Sequence, residues 1–177
     1  MLKQSIKRKN KLAHKLILVL LLVFHVHTVM SLESDKMADF VLEGDNFKNL
    51  PEVSAGMTKI KYWGNVSIEQ GSLKIMSNDA IIYNGDNGIV KVILTGRPVK
   101  MEQIIDAEFG KIDVKARKID FMVQDELLLL TGDVVIKSKI QGEMSGEKIT
   151  MNLKTKEIKG VKSENKRVKL IIKPRLK

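Results

Sequence analysis

The feature that most constrains the fold is an alternation of aliphatic and polar residues that runs from Phe40 to Ile172. In the runs that begin at Val66 and at Val134, every second residue is aliphatic. Strict alternation places such side chains on one face of a β-sheet and polar side chains on the other face. No stretch keeps a helical period over three turns. The sequence therefore predicts an all-β chain.

Turn residues divide this pattern into short segments. Glycine, asparagine and proline cluster at Gln70-Gly71, Asn84–Gly88 and Gly96-Arg97-Pro98, and these residues favour tight turns. The strands between them recur at spacings of roughly 8–12 residues, which is typical of a sandwich, a barrel or a β-solenoid-like roll.

A faint internal repeat favours a stack of similar hairpins. Shifting the sequence by 68 residues pairs two neighbouring strands with two strands downstream. The pairs are Gly64 and Gly132, Val66 and Val134, Ile68 and Ile136, Ser77 and Ser145, Asp79 and Glu147, and Ile81 and Ile149. Chance similarity between strand-rich segments is the alternative. A stack of hairpins has an open edge at each end, which invites head-to-tail assembly unless those edges are capped.

Residues 1–31 have the layout of a secretory signal peptide. Basic residues up to Lys15 precede an apolar run from Leu16 to Phe24, and a more polar stretch ends at Ser31. The run is shorter than the roughly 20 residues that span a membrane, so export through the general secretory (Sec) pathway is expected. Because Val29-Met30-Ser31 is a mediocre cleavage site, an uncleaved membrane anchor is the alternative.

The remaining chain is expected to form one domain. We interpret 32–39 as a flexible lead-in, 40–173 as the folded domain and 174–177 as a tail. Six of the 31 basic residues lie in 1–31, which contain no acid. The other 25 stand against 21 acids, so the rest of the chain carries about +4 rather than +10. That charge is too mild to favour nucleic acid as a partner.

The sequence contains few side chains of the kinds that catalyse reactions. All three histidines lie within 1–31, and the chain has no cysteine. Imidazole-dependent nucleophiles and His or Cys metal sites are therefore not expected in the exported part. The acidic pairs Asp125-Glu126 and Asp106 with Glu108 are interpreted as a solvated turn and a wet surface, not as paired catalytic carboxylates. We expect a non-enzymatic protein with no catalytic residues, metal or cofactor.

The inner face of the predicted sheet is aliphatic, and two interpretations of it remain open. It forms either a filled core or, where two sheets splay apart, a trough for acyl chains. Each methylene buried in such a trough contributes about 0.8 kcal/mol. A mildly positive rim would suit phosphate groups on the head of such a lipid.

Several motifs resemble those of a known family. Residues 62–75 read Tyr-Trp-Gly-Asn-Val-Ser-Ile-Glu-Gln-Gly-Ser-Leu-Lys-Ile, followed by Asn78-Asp79, and Gly96-Arg97-Pro98 forms a further turn. Leu-Thr-Gly-Asp-Val at 130–134 and Gly-Glu-Lys-Ile-Thr at 146–150 complete the set. In order and spacing these motifs resemble the periplasmic lipopolysaccharide-transport family LptA, which has the OstA-like fold. The resemblance covers about 40–173.

This resemblance implies a twisted, antiparallel, V-shaped β-jellyroll with open ends. The protein would be a periplasmic lipopolysaccharide bridge from the inner to the outer membrane. Its partners would be lipopolysaccharide, related jellyroll domains at both membranes and further copies of itself, assembled head to tail. The implied lipid groove is lined by Val66, Ile68, Leu73, Ile75, Ile81, Tyr83, Phe121, Leu128, Leu130, Val134, Ile136 and Ile149. The implied assembly edges contain Phe40 and Leu42 at one end and Val168 and Leu170 at the other.

Three alternatives stand beside this hypothesis. The first is a membrane-anchored inner-membrane subunit of the same pathway, similar to LptC, which keeps residues 1–31. The second is a structural β-domain with a closed core. The third is a β-solenoid-like polysaccharide enzyme, which requires acids that converge in one cleft.

Overall fold

Ten antiparallel strands make up almost all of the folded chain. The computed structural model describes residues 35, 37–54, 56–106, 109–164 and 166–172. The predicted signal peptide and C-terminal tail lie outside these residues, and the predicted domain boundaries stay predictions. The strands are β1 (Val41–Glu43), β2 (Asn46–Ser54), β3 (Met57–Gln70), β4 (Leu73–Gly85), β5 (Gly88–Ile104), β6 (Lys111–Met122), β7 (Leu127–Ser138), β8 (Gly142–Asn152), β9 (Ile158–Val161) and β10 (Lys169–Ile171).

These strands form one open sheet. Strands β3 to β8 pair consecutively as a meander. Strands β1 and β2 both pair with β3, whereas β9 and β10 both pair with β8. Alternating burial along β6 and β7 follows from the alternating sequence, because successive side chains of a strand point to opposite faces. The prediction of an antiparallel all-β fold is confirmed.

A line of register shifts crosses the sheet and divides every long strand in two. The shifts lie between Trp63 and Val66, Met76 and Asp79, Thr95 and Val99, Lys115 and Lys118, and Thr131 and Val134. A β-bulge bends its strand and increases the local twist. Because neighbouring strands are all interrupted at the same level, the whole sheet bends along this line, which we name the bulge line.

The bulge line separates two half-sheets that share strands β3 to β8. The first half-sheet is bordered by β2 and β9, and the second by β1 and β10. Among the described residues only Asp35 and Met37 have helical backbone, so no helix there covers the apolar face. That face is nevertheless buried in both half-sheets, at Ile68 and Ile75 in the second and at Leu94 and Ile119 in the first. The half-sheets therefore bury their apolar faces against each other, which makes the V-shaped roll that the resemblance implied.

The bulge line also changes which residues of a strand face inward. In β4 the buried residues are Leu73 and Ile75 before the bulge, but Ala80 and Ile82 after it. The predicted inward direction of Ile81 and Tyr83 is therefore wrong. The alternation was extended through a bulge at which two residues of β4 fall out of register with β5.

The internal repeat also explains why Ile81 was assigned to the inner face. Its 68-residue shift holds between β3 and β7, where Gly64 corresponds to Gly132. The β3–β4 hairpin has a two-residue loop, because Gln70 pairs with Leu73. The β7–β8 hairpin has a three-residue loop, because Ser138 pairs with Gly142. The extra residue raises the shift to 69 in the following strand, so Ile149 corresponds to Ala80 and not to Ile81.

The two matching bulges have the same backbone geometry. Gly64 and Asn65 have φ values of 77° and 45°, and Gly132 and Asp133 have values of 81° and 48°. Glycine, asparagine and aspartate tolerate this left-handed region better than other residues do. The repeat is thus a repeat of bulge geometry, which requires these residue types at these positions.

Ion pairs fasten the C-terminal segment to the bulge of β7. Residues 162–168 connect β9 to β10, and Lys166 in this connection pairs with both Asp133 and Glu147. Arg117 binds the same two acids at 3.4 and 3.2 Å. The hydrogen bond from Lys166, followed by its charge, lowers the pKa of Asp133, and the same bond raises the pKa of Lys166. Both groups are therefore held in their charged forms at neutral pH.

We expect Gly132→Ala to destabilise the protein more than Gly88→Ala does. Both glycines have positive φ, so alanine introduces backbone strain of about 1–2 kcal/mol at either position. At Gly132 a Cβ would also lie 2.5 Å from Nε and 2.8 Å from Cβ of Arg117, whereas at Gly88 it would meet nothing within 4 Å. Overpacking adds about 1–3 kcal/mol. Urea denaturation measures both losses, and equal losses would contradict the close packing at the bulge.

Candidate functional site

A cavity of about 470 Å³ lies between the two half-sheets. Strands β3, β4 and β5 of the second half-sheet form one wall, and strands β5, β6 and β7 of the first half-sheet form the other. The residues that line it are Asp35, Phe40, Ile68, Gln70, Leu73, Ile75, Asn87, Ile89, Val92, Leu94, Met101, Gln103, Ile119, Phe121, Val123, Glu126, Leu128 and Leu153. Several of these residues flank hairpin turns, whereas Ile75, Leu94 and Ile119 adjoin the bulge line, so the cavity extends from the bulge line toward the ends of the strands.

The walls of the cavity are apolar, and most polar side chains lie at its rim. Asn87 and Glu126 belong to hairpin turns, and Asp35 lies ahead of β1. Gln103 is different, because it projects from the inner face of β5 and is only 8% exposed. Within the described part of the chain, its Oε1 atom has no hydrogen-bond partner. The site is therefore an apolar cavity with one buried amide.

The segment before β1 contacts the β3–β4 hairpin at the rim. The Ser72 hydroxyl donates to the Asp35 carboxylate, and the Ile104 N–H donates to Ser72 Oγ at 3.1 Å. Gln70 Nε2 donates to the Ala38 carbonyl at 3.2 Å. These contacts bring the described part of the predicted lead-in to the cavity; its flexibility stays a prediction.

The predicted positive rim is wrong for this cavity. Two of the lining residues, Asp35 and Glu126, are acids, and none of those described is Lys or Arg. The physical reason is alternation. Lys74 and Lys100 neighbour the inward Ile75 and Met101 in their strands, so they point outward and are exposed.

The structure divides the predicted groove residues into three groups. Those that line the cavity are Ile68, Leu73, Ile75, Phe121 and Leu128. Those that are buried but lie outside the cavity lining are Val66, Leu130, Val134, Ile136 and Ile149. Those that face outward are Ile81 and Tyr83. The role of the first two groups in lipid binding stays a prediction.

Sequence reasoning missed part of the cavity wall. Val92 and Leu94 lie in a run whose alternation was recognised, and the same signal could have assigned them to the groove. Met101 follows the bulge at 96–98 and continues the inner face with the opposite parity. Nothing in the sequence pattern indicated Gln103, because a polar residue that points inward can be recognised only when the register of β5 with its neighbouring strands is known.

The four predicted edge residues lie at the two ends of the sheet. Leu42 belongs to β1 and stands opposite Ile68, whereas Phe40 immediately precedes β1 and lines the cavity. Leu170 belongs to β10 and stands opposite Met144. Val168 precedes β10 and packs against Gly146 and Gly160. Their predicted role in assembly is not tested by these positions.

Exposed apolar side chains accompany both edges. At the N-terminal edge Phe47 is 68% exposed although its ring stacks on Tyr62 at 5.7 Å. At the C-terminal edge Leu170 is 53% exposed, and Val161 and Ile172 are exposed as well. Apolar exposure beside unpaired strand backbone is typical of a surface that pairs with another strand.

The described residues offer little support for catalysis by carboxylates or for a metal site. The acids Asp125 and Glu126 lie in the β6–β7 turn, and Glu108 lies outside the described residues. Asp106 accepts a hydrogen bond from the Phe109 N–H at 2.6 Å and pairs with Lys156. Within the described ranges, no group of three or more His, Cys, Asp or Glu side chains could hold a metal ion. No helix found there is long and apolar enough to cross a membrane.

An open sheet that bends on itself around an apolar cavity defines a β-jellyroll with a candidate site for an apolar ligand. Residues 52–157 match the model of the family described as LptA/(LptD N-terminal domain) LPS transport protein. This match spans more than half of the chain, and the chain belongs to that family. The resemblance seen in the sequence is thereby confirmed.

The sequence identity to individual relatives is low. The lipopolysaccharide export system proteins LptA of Escherichia coli K12 and of Shigella flexneri are each 24% identical over 118 residues, which is 65% of this chain. The match spans 62% of those relatives, a little under two thirds of their length. The crystal structure of LptH, the LptA homologous periplasmic component of the lipopolysaccharide transport device of Pseudomonas aeruginosa, superimposes with a TM-score of 0.67. It is 21% identical and covers 80% of this chain and 99% of its own, which supports the shared fold.

We expect Val92→Phe to be tolerated and Val134→Phe to be destabilising. Val92 lines the cavity, whereas Val134 is buried outside it. Filling a cavity commonly adds about 0.5–2 kcal/mol to the free energy of unfolding. Inserting the same ring into a filled core costs about 1–3 kcal/mol. Chemical denaturation compares the two variants, and an equal loss in both would mean that the cavity is closed in solution.

Proposed function

We propose that this protein binds lipopolysaccharide in the periplasm and carries it from the inner toward the outer membrane, with acyl chains in the cavity between the half-sheets. The observation that carries the proposal is the cavity itself. Protein interiors contain few voids larger than a water molecule. A volume of about 470 Å³ instead falls within the range of ligand sites, about 300–1,000 Å³.

The lining suits the acyl part of such a lipid and not its phosphates. Aliphatic and aromatic side chains such as Ile75, Leu94 and Phe121 form the walls. Burying one methylene against them contributes about 0.8 kcal/mol, so a chain of several methylenes outweighs the ordering of a few bonds. The described lining contains no Lys or Arg that would bind a phosphate, so the headgroup would lie outside the cavity.

The alternatives fit the molecule less well. A closed core describes the residues around Val134 and Ile149 but not the cavity. A polysaccharide enzyme needs two carboxylates that flank the scissile bond in one cleft, whereas Asp35 accepts a hydrogen bond from Ser72 and Glu126 lies in the β6–β7 turn. The anchored inner-membrane subunit differs from the proposed soluble carrier in residues 1–31, and the mass of the mature protein distinguishes the two. We favour the carrier, which has no catalytic role.

The edges support transport by a series of domains. In the proposed assembly, β10 of one copy pairs with β1 of the next, or with a related jellyroll domain at either membrane. Such pairing would satisfy the free backbone groups of both strands and cover exposed side chains such as Val41 and Leu170. The apolar interiors of successive domains would then form one continuous path for acyl chains.

Photocrosslinking in cells tests the lipid site. A benzoylphenylalanine in place of Phe121, which lines the cavity, is expected to form a lipopolysaccharide adduct on irradiation. The same residue in place of Tyr83, an aromatic side chain on the outer face of the first half-sheet, is the matched control and is expected to form none. Adducts are detected by immunoblotting for lipopolysaccharide. Equal labelling at both positions, or none at Phe121 in folded protein, would contradict the proposed site.

Self-association tests the edge. We expect Leu170→Glu to prevent assembly, because a charge on β10 would be buried without a partner when two edges pair. Met76→Glu is the matched control, since Met76 is exposed on the outer face of the internal strand β4. Light scattering over a range of concentrations should show rising mass for the wild type and for Met76→Glu only. A wild-type mass that stays monomeric at every concentration would contradict head-to-tail assembly.

A further inference from the structure

The buried amide of Gln103 sets one part of the cavity apart from the rest. Gln103 follows Met101 on the inner face of β5 and stands opposite Ile112 of β6. It is 8% exposed, and its Oε1 atom is shielded from solvent and has no hydrogen-bond partner among the described residues. Its neighbours in the cavity wall, such as Leu73 and Met101, are apolar.

An unpaired amide at such a position is unfavourable in the empty protein. Nearly all buried polar side-chain atoms in folded proteins have a hydrogen-bond partner, and losing one costs free energy. Leucine or methionine would fill the same inward position without that cost. A glutamine there is explained if a partner arrives with the ligand.

The other polar residues of the lining either have a hydrogen-bond partner or lie in an exposed turn. Gln70 already donates to the Ala38 carbonyl, and Asp35 accepts from Ser72. Asn87 lies in the exposed β4–β5 turn. Gln103 is thus the polar residue of the described lining that is both buried and unpaired at its oxygen.

We propose that Gln103 is a specificity residue that recognises a hydroxyl group on an acyl chain in the cavity. This inference rests on the proposed function, since it requires an acyl chain in the same place. The terminal torsion of a glutamine side chain is broad, so rotation can turn either amide atom toward the cavity. A hydroxyl group both donates and accepts, and it therefore pairs with the amide in either orientation. An unsubstituted chain leaves the amide unpaired, and the described lining has no Lys or Arg that would bind a phosphate.

The test compares two probes that differ only in the hydroxyl group. The uncharged methyl esters of tetradecanoic acid and of 3-hydroxytetradecanoic acid are titrated into the purified full chain and into Gln103→Met, with dissociation constants measured by calorimetry. We expect the wild type to bind the hydroxylated probe about tenfold more tightly, as a difference of about 1.4 kcal/mol implies. In Gln103→Met, which keeps the side-chain length and removes the amide, the two constants should become equal. Gln141→Met, an exposed change in the β7–β8 turn, should keep the wild-type ratio.

The possible results separate this inference from the proposed function. If neither probe binds any of the proteins, the acyl site itself fails. If the wild type binds both probes equally, the site stands and the role of Gln103 is overturned.

The melting temperature without ligand adds a second readout. Gln103→Met should melt at the wild-type temperature or above it, because an unpaired amide is removed. A lower melting temperature with an unchanged probe ratio would assign Gln103 a structural role and overturn the proposal.

Discussion

One sheet has to bury its own apolar face, and the bulge line makes this feasible. A flat antiparallel sheet with one aliphatic face needs a second layer, and the described chain supplies no helix for it. Interrupting β3 to β8 at the same level lets each strand contribute to both layers. The paired left-handed residues Gly64-Asn65 and Gly132-Asp133 therefore matter to the whole fold, because they allow two strands to bend where their neighbours bend. The position of the core and the division of each sheet edge into two strands both follow from that line.

The cavity follows from the same construction. Two layers that share their strands are joined at the bulge line and enclose the space between their inner faces. Side chains close to the line, such as Val66 and Val134, are fully buried. Leu73 and Val123 beside the hairpin turns line the cavity, and so do Ile75 and Leu94, which lie nearer the bulge line. A V-shaped roll thus provides a filled core and a ligand-sized cavity from one aliphatic pattern, and the balance between them is set by the angle between the half-sheets.

Much of this architecture could be predicted from the sequence, because alternation and turn residues are local signals. They indicated the strands, the inner face of β3 and β7 and the relation between Gly64 and Gly132. Ile81 and Tyr83 were assigned to the wrong face because a bulge inverts the alternation. The bulge can be recognised only when the register of β4 with β5 is known. The division between core and cavity could not be predicted either. Ile75 and Ile149 have the same inward direction, and only the distance to the opposite layer decides which of them lines open space.

The edges show how closely stability and function are connected in an open sheet. Both end strands are broken at the bulge line, into β1 and β2 at one edge and into β9 and β10 at the other. Strands β1, β9 and β10 have only three or four residues each, and such short edge strands limit the uncontrolled pairing that long exposed strands promote. At the C-terminal edge Lys166 also binds Asp133 and Glu147, which positions β10 instead of leaving it free. Apolar side chains such as Leu170 nevertheless remain exposed there. An edge that is short, fixed in position and apolar is protected against general aggregation, yet it remains suited to a partner of matching length and shape, such as another bent sheet.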